Sequence, residues 1–312
     1  MKRLLQNILL FTFFCLVVYI VLVIVAGRVL PAGWKTNLNY TVDEPKLTYT
    51  RLKELDTAKN TDILILGTSH AYMGYDPRIF LQHGWKTVNL GTSAQSFFQT
   101  ELLVKRYIKQ LNPKFVIFDI YPGIFSNNGI ESGLDLVSSA KLNKDIVAMT
   151  FKLNNIKVYN TLIYSAYMQQ FVLDTTYAEP QANRDGAYIK GGYVESYSTY
   201  KGTMPADKGI YKIHADQLKA FENIIKMFNE RKIPYVLAQA PMTPAKYFEM
   251  TNNDAIDTML ANYGRYYNFN KISNIPINCF RDEHHLNQNG VNIFNDDFIK
   301  ILDPTIQKAC GK

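Results

Sequence analysis

Apolar residues form one long block near the start of the chain. From Ile8 to Ala26 no residue is charged, and only Thr12 interrupts the apolar run. At about 1.5 Å per residue, such a run is long enough to cross a hydrocarbon core of roughly 30 Å. A buried core helix is a poor alternative because the block is apolar on every side. A cleavable signal peptide is the competing interpretation, but its apolar region is usually about 7 to 15 residues long. We therefore expect an uncleaved transmembrane anchor.

Three segments with different patterns follow one another. The anchor occupies residues 1–30, a linker and lead-in occupy 31–60, and one large domain occupies 61–312. Lys2 and Arg3 precede the apolar block and no second apolar block follows it. The positive-inside tendency then predicts that the chain after the linker lies outside the cytoplasm, in a periplasm or at the cell exterior.

Beyond the linker, short apolar runs alternate with amphipathic stretches. The apolar runs are continuous, which is typical of buried strands: Ile63–Leu66, Thr87–Leu90, Phe115–Ile120, Tyr235–Ala238 and Ile275–Cys279. Stripes at helical spacing lie between them: Leu103, Val104, Tyr107, Ile108 and Leu111; Leu218, Phe221, Ile225 and Phe228; and Val291, Phe294, Phe298 and Leu302. This alternation predicts an α/β fold, a three-layer α/β/α sandwich with a central parallel sheet of the doubly wound type.

The stretch at about 124–207 does not follow this alternation. One helical region is expected near Asp145 to Phe171, followed by a loop-like segment with several tyrosines: Tyr188, Tyr193, Tyr197 and Tyr200. We interpret the stretch as an insertion placed over the strand ends. Tyrosines in loops can stack on sugars, or they can cover the edge of a core.

The charge balance excludes some classes of partner. The 312 residues include 34 Lys and Arg against 27 Asp and Glu, a formal net charge of +7. The basic residues are scattered and no nucleic-acid motif is present, so nucleic acid is not expected as a partner. An anionic membrane face or an acidic glycan remains compatible with this charge.

Three cysteines, Cys15, Cys279 and Cys310, are too few for a disulfide framework or a cysteine zinc site. Cys279 and Cys310 flank the segment that contains residues Asp282 to His285 and the last predicted helix. In an oxidising compartment they could form a disulfide, which is a hypothesis for the structure to test.

Chemistry-bearing residues follow the first two predicted strands. Gly67-Thr68-Ser69-His70 is a glycine-containing turn that presents a serine at the carboxyl end of a strand, where a nucleophile would be exposed. Serines in such turns also cap helices. His70 could hydrogen-bond within a site or cap the turn. After the second strand, Gly91 brings a bare backbone N–H to the same edge.

A third block, Asp282-Glu283-His284-His285, precedes the last predicted helix. An Asp three residues before a His can hold one ring nitrogen and leave the other free to take a proton from a serine. This spacing favours His285 over His284 as a base, and His284 is interpreted as a surface neighbour. A metal site is not expected, because adjacent histidines do not readily face one ion.

Together these blocks resemble the SGNH or GDSL superfamily of serine esterases and acyltransferases. The matching elements are Gly67-x-Ser69, Gly91, and Asp282-x-x-His285-Leu286-Asn287-x-x-Gly290. The last of these, with a single amino-terminal anchor, is similar to the branch that contains the D-alanyl transfer protein of teichoic acid modification and the alginate O-acetylation proteins. The insertion carries no matching motif.

The resemblance implies roles for individual residues. Ser69 would be the nucleophile, His285 the general base and acid, and Asp282 its orienting carboxylate. The backbone amides of Ser69 and Gly91 would form the oxyanion hole. The family's third donor, an asparagine in a Gly-x-Asn-Asp block, is absent from the expected place after the third strand. Either Tyr121 or another group replaces it, or the oxyanion hole is weaker.

The resemblance also implies a function. We expect an extracytoplasmic acyltransferase or esterase, without a cofactor, that handles O-acyl groups, acetyl in the first place, of a cell-envelope glycan or lipid-linked polymer. A membrane-bound acyltransferase is a possible partner. The alternative is a catalytically weak or inactive glycan-binding accessory protein of an acylation system with the same fold.

Overall fold

The structure is a computed structural model that describes residues 1–42, 44, 46–173, 176–202 and 207–311. The chain divides into two compact units. The first unit joins Met1–Val42 to Gly133–Ala178, and the second joins Asp43–Ser132 to Glu179–Lys312. Two parts of the predicted insertion, 174–175 and 203–206, lie outside the described residues.

The strands are short and the helices vary widely in length. The strands are β1 (Ile63–Leu66), β2 (Thr87–Asn89), β3 (Phe115–Asp119), β4 (Ala182–Asn183), β5 (Gly186–Ile189), β6 (Tyr193–Ser196), β7 (Tyr235–Gln239) and β8 (Tyr266–Asn268). The helices are α1 (Lys2–Val29), α2 (Thr48–Leu55), α3 (Ser69–Gly74), α4 (Pro77–Gln82), α5 (Phe97–Leu111), α6 (Ile130–Ser139), α7 (Lys144–Leu153), α8 (Ile156–Phe171), α9 (Ala215–Glu230), α10 (Pro244–Tyr247), α11 (Asn253–Ala261), α12 (Phe269–Ile272) and α13 (Gln288–Cys310).

Five parallel strands form the central sheet of the second unit, in the order β2-β1-β3-β7-β8. Ile63 of β1 aligns with Thr87 of β2 on one side and with Phe115 of β3 on the other. Every residue of β1 and β3 is buried. Continuous apolar runs are needed there because successive side chains point to opposite faces and both faces are covered.

Helices cover the two faces of this sheet. On one face Ile65 and Ile117 belong to a core cluster with Phe294 and Phe298 of α13. On the other face Phe118 contacts Phe221 of α9, with 5.7 Å between the ring centroids. The second unit is therefore an α/β fold with a central parallel sheet flanked by helices, as the sequence pattern predicts.

One predicted strand is wrong. Ile275–Cys279 forms no strand, and a 3-10 turn over Ile277–Cys279 occupies its end. Pro276 lies inside the apolar run and has no N–H for a sheet ladder. The strand at this edge of the sheet is β8, whose tyrosines are only half-buried, so its sequence lacks the apolar signal of the central strands.

The predicted insertion contains more regular structure than the sequence indicates. The single helical region expected near Asp145 to Phe171 is two helices, α7 and α8. Asn154 ends α7 in the left-handed conformation and the side chain of Asn155 caps α8 by accepting the N–H of Lys157. The segment expected as a loop contains the antiparallel sheet β4-β5-β6.

Within the first unit, α1 contains the predicted membrane block and is long and apolar enough to cross a membrane. Its Val23 forms a small cluster with Leu38 and Tyr164. The Lys35 ammonium donates to the carbonyl oxygen of Gly27 at 2.7 Å. By length and composition this helix fits a membrane anchor or a signal sequence.

The hypothesised disulfide between Cys279 and Cys310, two of the residues that the structure describes, is not formed. Both side chains are buried thiols of the core cluster in the second unit. The Cys310 sulfur lies 4.0 Å from the carbonyl oxygen of Asp62.

Candidate active site

The turn after β1 is shaped by a glycine. Gly67 has φ +146°, and a Cβ at this position would lie 2.7 Å from the carbonyl oxygen of Asp119 and 2.9 Å from the Ala71 Cβ. Only glycine allows this backbone conformation and this close approach. Thr68 then caps α3 by accepting the N–H of His70 at 3.2 Å. Ser69 is consequently the first residue of α3, at the carboxyl end of a central strand.

A short loop before α13 carries the other two predicted residues. Asp282 Oδ1 accepts the backbone N–H groups of His284 and His285, both at 2.9 Å. The carboxylate therefore stabilises the backbone conformation of the loop and also contacts the imidazole of His285. Asn287 caps α13 by accepting the N–H groups of Asn289 and Gly290, which holds the end of the loop to a long helix.

The structure brings Ser69, His285 and Asp282 together. The Ser69 Oγ lies 2.8 Å from Nε2 of His285. Nδ1 of His285 lies 2.8 Å from Oδ1 and 3.0 Å from Oδ2 of Asp282. An ionised carboxylate only accepts hydrogen bonds, so Nδ1 carries the proton and Nε2 is the acceptor for the serine hydroxyl. This is the arrangement that proton transfer from the serine requires.

The surroundings keep Asp282 ionised. Burial alone would raise the pKa of Asp282. The hydrogen bond and charge of His285 and the backbone N–H groups of His284 and His285 lower it by more than burial raises it, so the pKa lies well below its usual range. The carboxylate therefore keeps its charge at neutral pH, as the orientation of His285 requires.

The predicted oxyanion donors are less well placed. Gly91 lies after β2 as expected, but its N–H donates to Oδ1 of Asn89 at 2.9 Å. Asn89 is buried and its amide also donates to the carbonyl oxygen of Ala71 at 2.8 Å. A substrate oxygen would have to replace Asn89 to use the Gly91 amide. Ser69 is at the first turn of α3, where backbone N–H groups have no partner within the helix. The role of both amides stays a prediction.

His284 is not the surface residue that the sequence suggested. Its ring is half-buried and lies edge-on to His70, with 5.7 Å between centroids, and edge-on to Tyr121, at 5.5 Å. Its Nδ1 is buried without a hydrogen-bond partner. Burial and the charge of His285 lower the pKa of His284. The sequence showed adjacent histidines but not which elements would enclose them.

A pocket of about 560 Å³ lies over Ser69 and His285. Its wall includes Tyr121 and Tyr211, so its tyrosines differ from those expected in the insertion. Tyr193 instead belongs to the core, where its hydroxyl donates to Gln288 at 2.6 Å. The other walls combine apolar and polar side chains: Ile210, Met250, Ser93, Asn127 and Glu131. Among the residues described, no group of three or more His, Cys, Asp or Glu side chains could hold a metal ion.

The third strand ends in a buried carboxyl group that the sequence did not single out. Asp119 Oδ2 accepts the Tyr75 hydroxyl and the N–H of Ala240, both at 2.9 Å, while Oδ1 has no partner. Burial raises the pKa of Asp119 to about 7, although these two hydrogen bonds act in the opposite direction. At neutral pH the folded protein therefore carries a partly protonated acid next to the turn at Gly67.

This carboxyl group makes stability depend on pH. The folded state binds more protons than the unfolded state between about pH 4 and 7, so Asp119 destabilises the fold increasingly as pH rises. An asparagine at this position would imitate the protonated acid. We expect Asp119→Asn to raise the free energy of unfolding at pH 8 by up to about 4 kcal/mol, and with it the thermal unfolding midpoint. At pH 4 the same substitution should leave both nearly unchanged. Equal effects at both pH values would contradict the raised pKa.

Comparisons with known proteins do not assign the chain. No family model and no curated protein sequence matches it. Among solved structures, a protein from Bacteroides fragilis assigned as an acylhydrolase is similar at 8% identity, with a TM-score of 0.41 over 82% of this chain and 95% of that chain. A GDSL-like lipase from Bacteroides thetaiotaomicron is similar at 12% identity, with a TM-score of 0.41 over 86% and 98%. At such low similarity neither likeness identifies the activity of this chain.

Proposed function

We propose that the chain is a membrane-anchored SGNH-like serine enzyme of acyl transfer, with Ser69 as nucleophile. The observation that carries the proposal is the continuous hydrogen-bonded path from Ser69 Oγ through His285 to Asp282, with 2.8 Å at each step. Ser69 follows β1, whereas His285 and Asp282 lie in the loop before α13, so the fold brings the serine to the histidine. A serine hydroxyl is a weak nucleophile by itself, and a base at this distance activates it.

The reaction has two balanced halves. The Ser69 oxygen bonds to the acyl carbonyl carbon while its proton passes to Nε2 of His285, and the carbonyl oxygen becomes negative. When the tetrahedral intermediate collapses, the ester C–O bond breaks and His285 gives its proton to the departing alcohol. The acyl group is then an ester of Ser69. Water or a second hydroxyl reverses these steps with His285 as base, which releases an acid or forms a new ester.

The proposed substrate is an O-acyl ester, acetyl in the first place, on a cell-envelope glycan or lipid-linked polymer. Its support is the resemblance of the block from Asp282 to Gly290, together with the apolar helix α1, to the envelope acyl-transfer branch. A pocket of about 560 Å³ accommodates an acyl group and part of a sugar. The proposed reaction is transfer of the acyl group to a sugar hydroxyl, with a membrane-bound acyltransferase as partner. If water takes the place of the sugar hydroxyl, the same site hydrolyses the ester.

The test uses the full chain purified in detergent. A fluorophosphonate probe should label the protein, and mass spectrometry of its peptides should map the label to Ser69. Ser93 is a matched control, because it also lies at the pocket wall and its hydroxyl is bonded to Glu131 at 3.0 Å rather than to a histidine. Ser93→Ala should label like the wild type. Labelling at another serine, or none, would refute the proposal.

Acyl-enzyme made from p-nitrophenyl acetate then separates transfer from hydrolysis. Loss of the acetyl group from Ser69 that accelerates with added oligosaccharide, with the acetyl group recovered on the sugar, supports transfer. Recovery of acetate alone, at a rate independent of the oligosaccharide, supports an esterase.

A binding protein with the same fold is the second candidate. The observation that favours it is the Gly91 N–H, which is already donated to Asn89, together with the absence of an asparagine block after β3. For such a protein we would expect binding of an envelope glycan without labelling by the fluorophosphonate.

The membrane attachment gives a separate prediction. We expect the chain to stay in the membrane fraction after carbonate washing, because α1 is uncharged from Ile8 to Ala26 and burying that surface in lipid is strongly favourable. A protease added outside intact cells or spheroplasts should digest the part after the linker. A soluble form that begins near Arg28 would instead show a cleaved signal, and protection from the protease would show the opposite orientation.

A further inference from the structure

His70, the residue directly after Ser69, is held in one orientation. The hydroxyl oxygen of Thr68 accepts the backbone N–H of His70, and the same hydroxyl lies 3.2 Å from Nδ1 of the ring. Since the hydroxyl accepts one bond from the His70 N–H, its own proton is available for Nδ1. With the Thr68 hydroxyl as donor, Nδ1 is the acceptor and the ring proton resides on Nε2, and this is the tautomer on which the proposal below is based.

The Nε2 of His70 is a donor without a partner. The residue is 6% exposed and lines the pocket over Ser69, yet Nε2 makes no hydrogen bond. A buried polar group without a partner destabilises a fold, and such groups in native structures have a particular reason. A phenylalanine would fill the same volume without this loss, so packing alone does not explain a histidine here.

The neighbouring rings hold His70 close to the proposed base, His285. It stacks on Tyr121 with 4.7 Å between centroids and 25° between planes, and it lies 5.1 Å from the ring of His285. Burial, and then the charges of His285 and His284, lower its pKa well below the usual histidine range. The ring therefore stays uncharged when His285 takes up a proton, so the reaction does not place two imidazolium ions side by side.

Among the described residues directly after β3, where His70 stacks on Tyr121, no amide side chain takes the place of the asparagine that the resemblance implies. β3 is followed by Ile120 and Tyr121, and the Gly91 N–H is occupied by Asn89. A developing oxyanion needs donors that are already oriented and shielded from water. The Nε2–H of His70 has both properties.

We propose that Nε2–H of His70 donates a hydrogen bond to the acyl oxygen as negative charge develops on it, which makes His70 a catalytic residue beside Ser69. The proposal rests on the serine mechanism proposed above. It assigns the histidine of the Gly67-Thr68-Ser69-His70 turn a function distinct from that of the base, and Tyr121 the role of a positioning residue that supports the ring.

The test compares two replacements of His70 in the full chain in detergent. His70→Phe keeps a ring for stacking and removes the donor, whereas His70→Gln places an amide N–H near the position of Nε2. With p-nitrophenyl acetate, we expect His70→Phe to lower the acylation rate about 100- to 1000-fold with little change in KM, and His70→Gln to recover at least about tenfold of that loss. His83→Gln is the control, because His83 is exposed and stacks on Trp85, and it should acylate like the wild type.

The outcomes separate this inference from the proposed function. If the wild type forms no acyl-enzyme, the serine mechanism itself fails. If the wild type is active and His70→Phe acylates equally fast, or His70→Gln is as slow as His70→Phe although both retain the wild-type unfolding midpoint, the donor role is wrong.

A measurement on the wild type covers the case in which the variants do not fold. In 15N-histidine-labelled protein, the His70 resonances should report a proton on Nε2, and that proton should move downfield when a phosphonate is bonded to Ser69. An unchanged His70 resonance in the adduct would overturn the proposal.

Discussion

Replacing either Ser69 or His285 by alanine should abolish acyl-enzyme formation, with losses in the acylation rate of about 10⁶-fold. Ser69→Ala removes the atom that carries the acyl group. His285→Ala removes the acceptor that lies 2.8 Å from the Ser69 hydroxyl, and without a base the hydroxyl keeps its proton. The double variant should be no slower than either single variant, because the two side chains act as a unit. The measurement is the rate of p-nitrophenol release in a single turnover.

His284→Ala is the matched control for His285→Ala. His284 lies in the same loop and its ring contacts His70 and Tyr121, whereas the hydrogen bond to Ser69 comes from His285. We expect a loss of about tenfold or less, from altered packing of the ring cluster. If His284→Ala were as slow as His285→Ala, or if Ser69→Ala still formed a labelled acyl-enzyme, the assignment of the base and nucleophile would be wrong.

The parts of the fold that the sequence predicts are those with a purely local signal. β1 is buried on both faces and therefore uses four apolar residues in succession, and its predicted bounds, Ile63–Leu66, agree with the structure. α1 is equally clear because its apolar block is continuous. At the edge of the sheet the signal fails: β8 is half-buried and tyrosine-rich, whereas the apolar run that ends at Cys279 contains a proline and forms a turn.

The candidate site could be predicted where residues close in the sequence are also held close in space by local hydrogen bonds. Asp282 and His285 are three residues apart, and a carboxylate that accepts the loop's own backbone N–H groups brings them together locally. The approach of Ser69 to His285 depends on the sheet order, which the alternation of strands and helices predicts in outline. Their catalytic roles stay predictions until the variants are measured.

Contacts that depend on tertiary packing could not be predicted. Nothing in the sequence around Gly91 indicates that the side chain of Asn89 takes its N–H. The stacking of His70 on Tyr121 connects the segments that follow β1 and β3. To predict it, one would have to know the order of the strands in the sheet and the rotamers of both side chains. The raised pKa of Asp119 likewise follows from complete burial. The sequence does not show whether an aspartate at the end of a strand is buried or exposed.

Asp282→Asn should lower the acylation rate by about 10⁴-fold while leaving the fold intact. The asparagine oxygen can still accept the N–H groups of His284 and His285, so the loop keeps its backbone contacts. Its NH₂ group would replace Oδ2, which lies 3.0 Å from Nδ1 of His285, and Nδ1 can accept a hydrogen bond from this group only if it gives up its own proton. The ring proton moves to Nε2, and the atom 2.8 Å from the Ser69 hydroxyl can no longer take a proton.

Glu283→Gln is the matched control for Asp282→Asn, because it removes a neighbouring negative charge in the same loop without touching Nδ1 of His285. It should acylate within about threefold of the wild type, since a charge that stays partly in contact with solvent contributes little at this distance. 15N shifts of His285 should show the proton on Nδ1 in the wild type and in Glu283→Gln, and on Nε2 in Asp282→Asn. If Asp282→Asn acylates within about tenfold of the wild type, or if its His285 keeps the proton on Nδ1, the carboxylate does not select the tautomer and the proposed role of Asp282 is wrong.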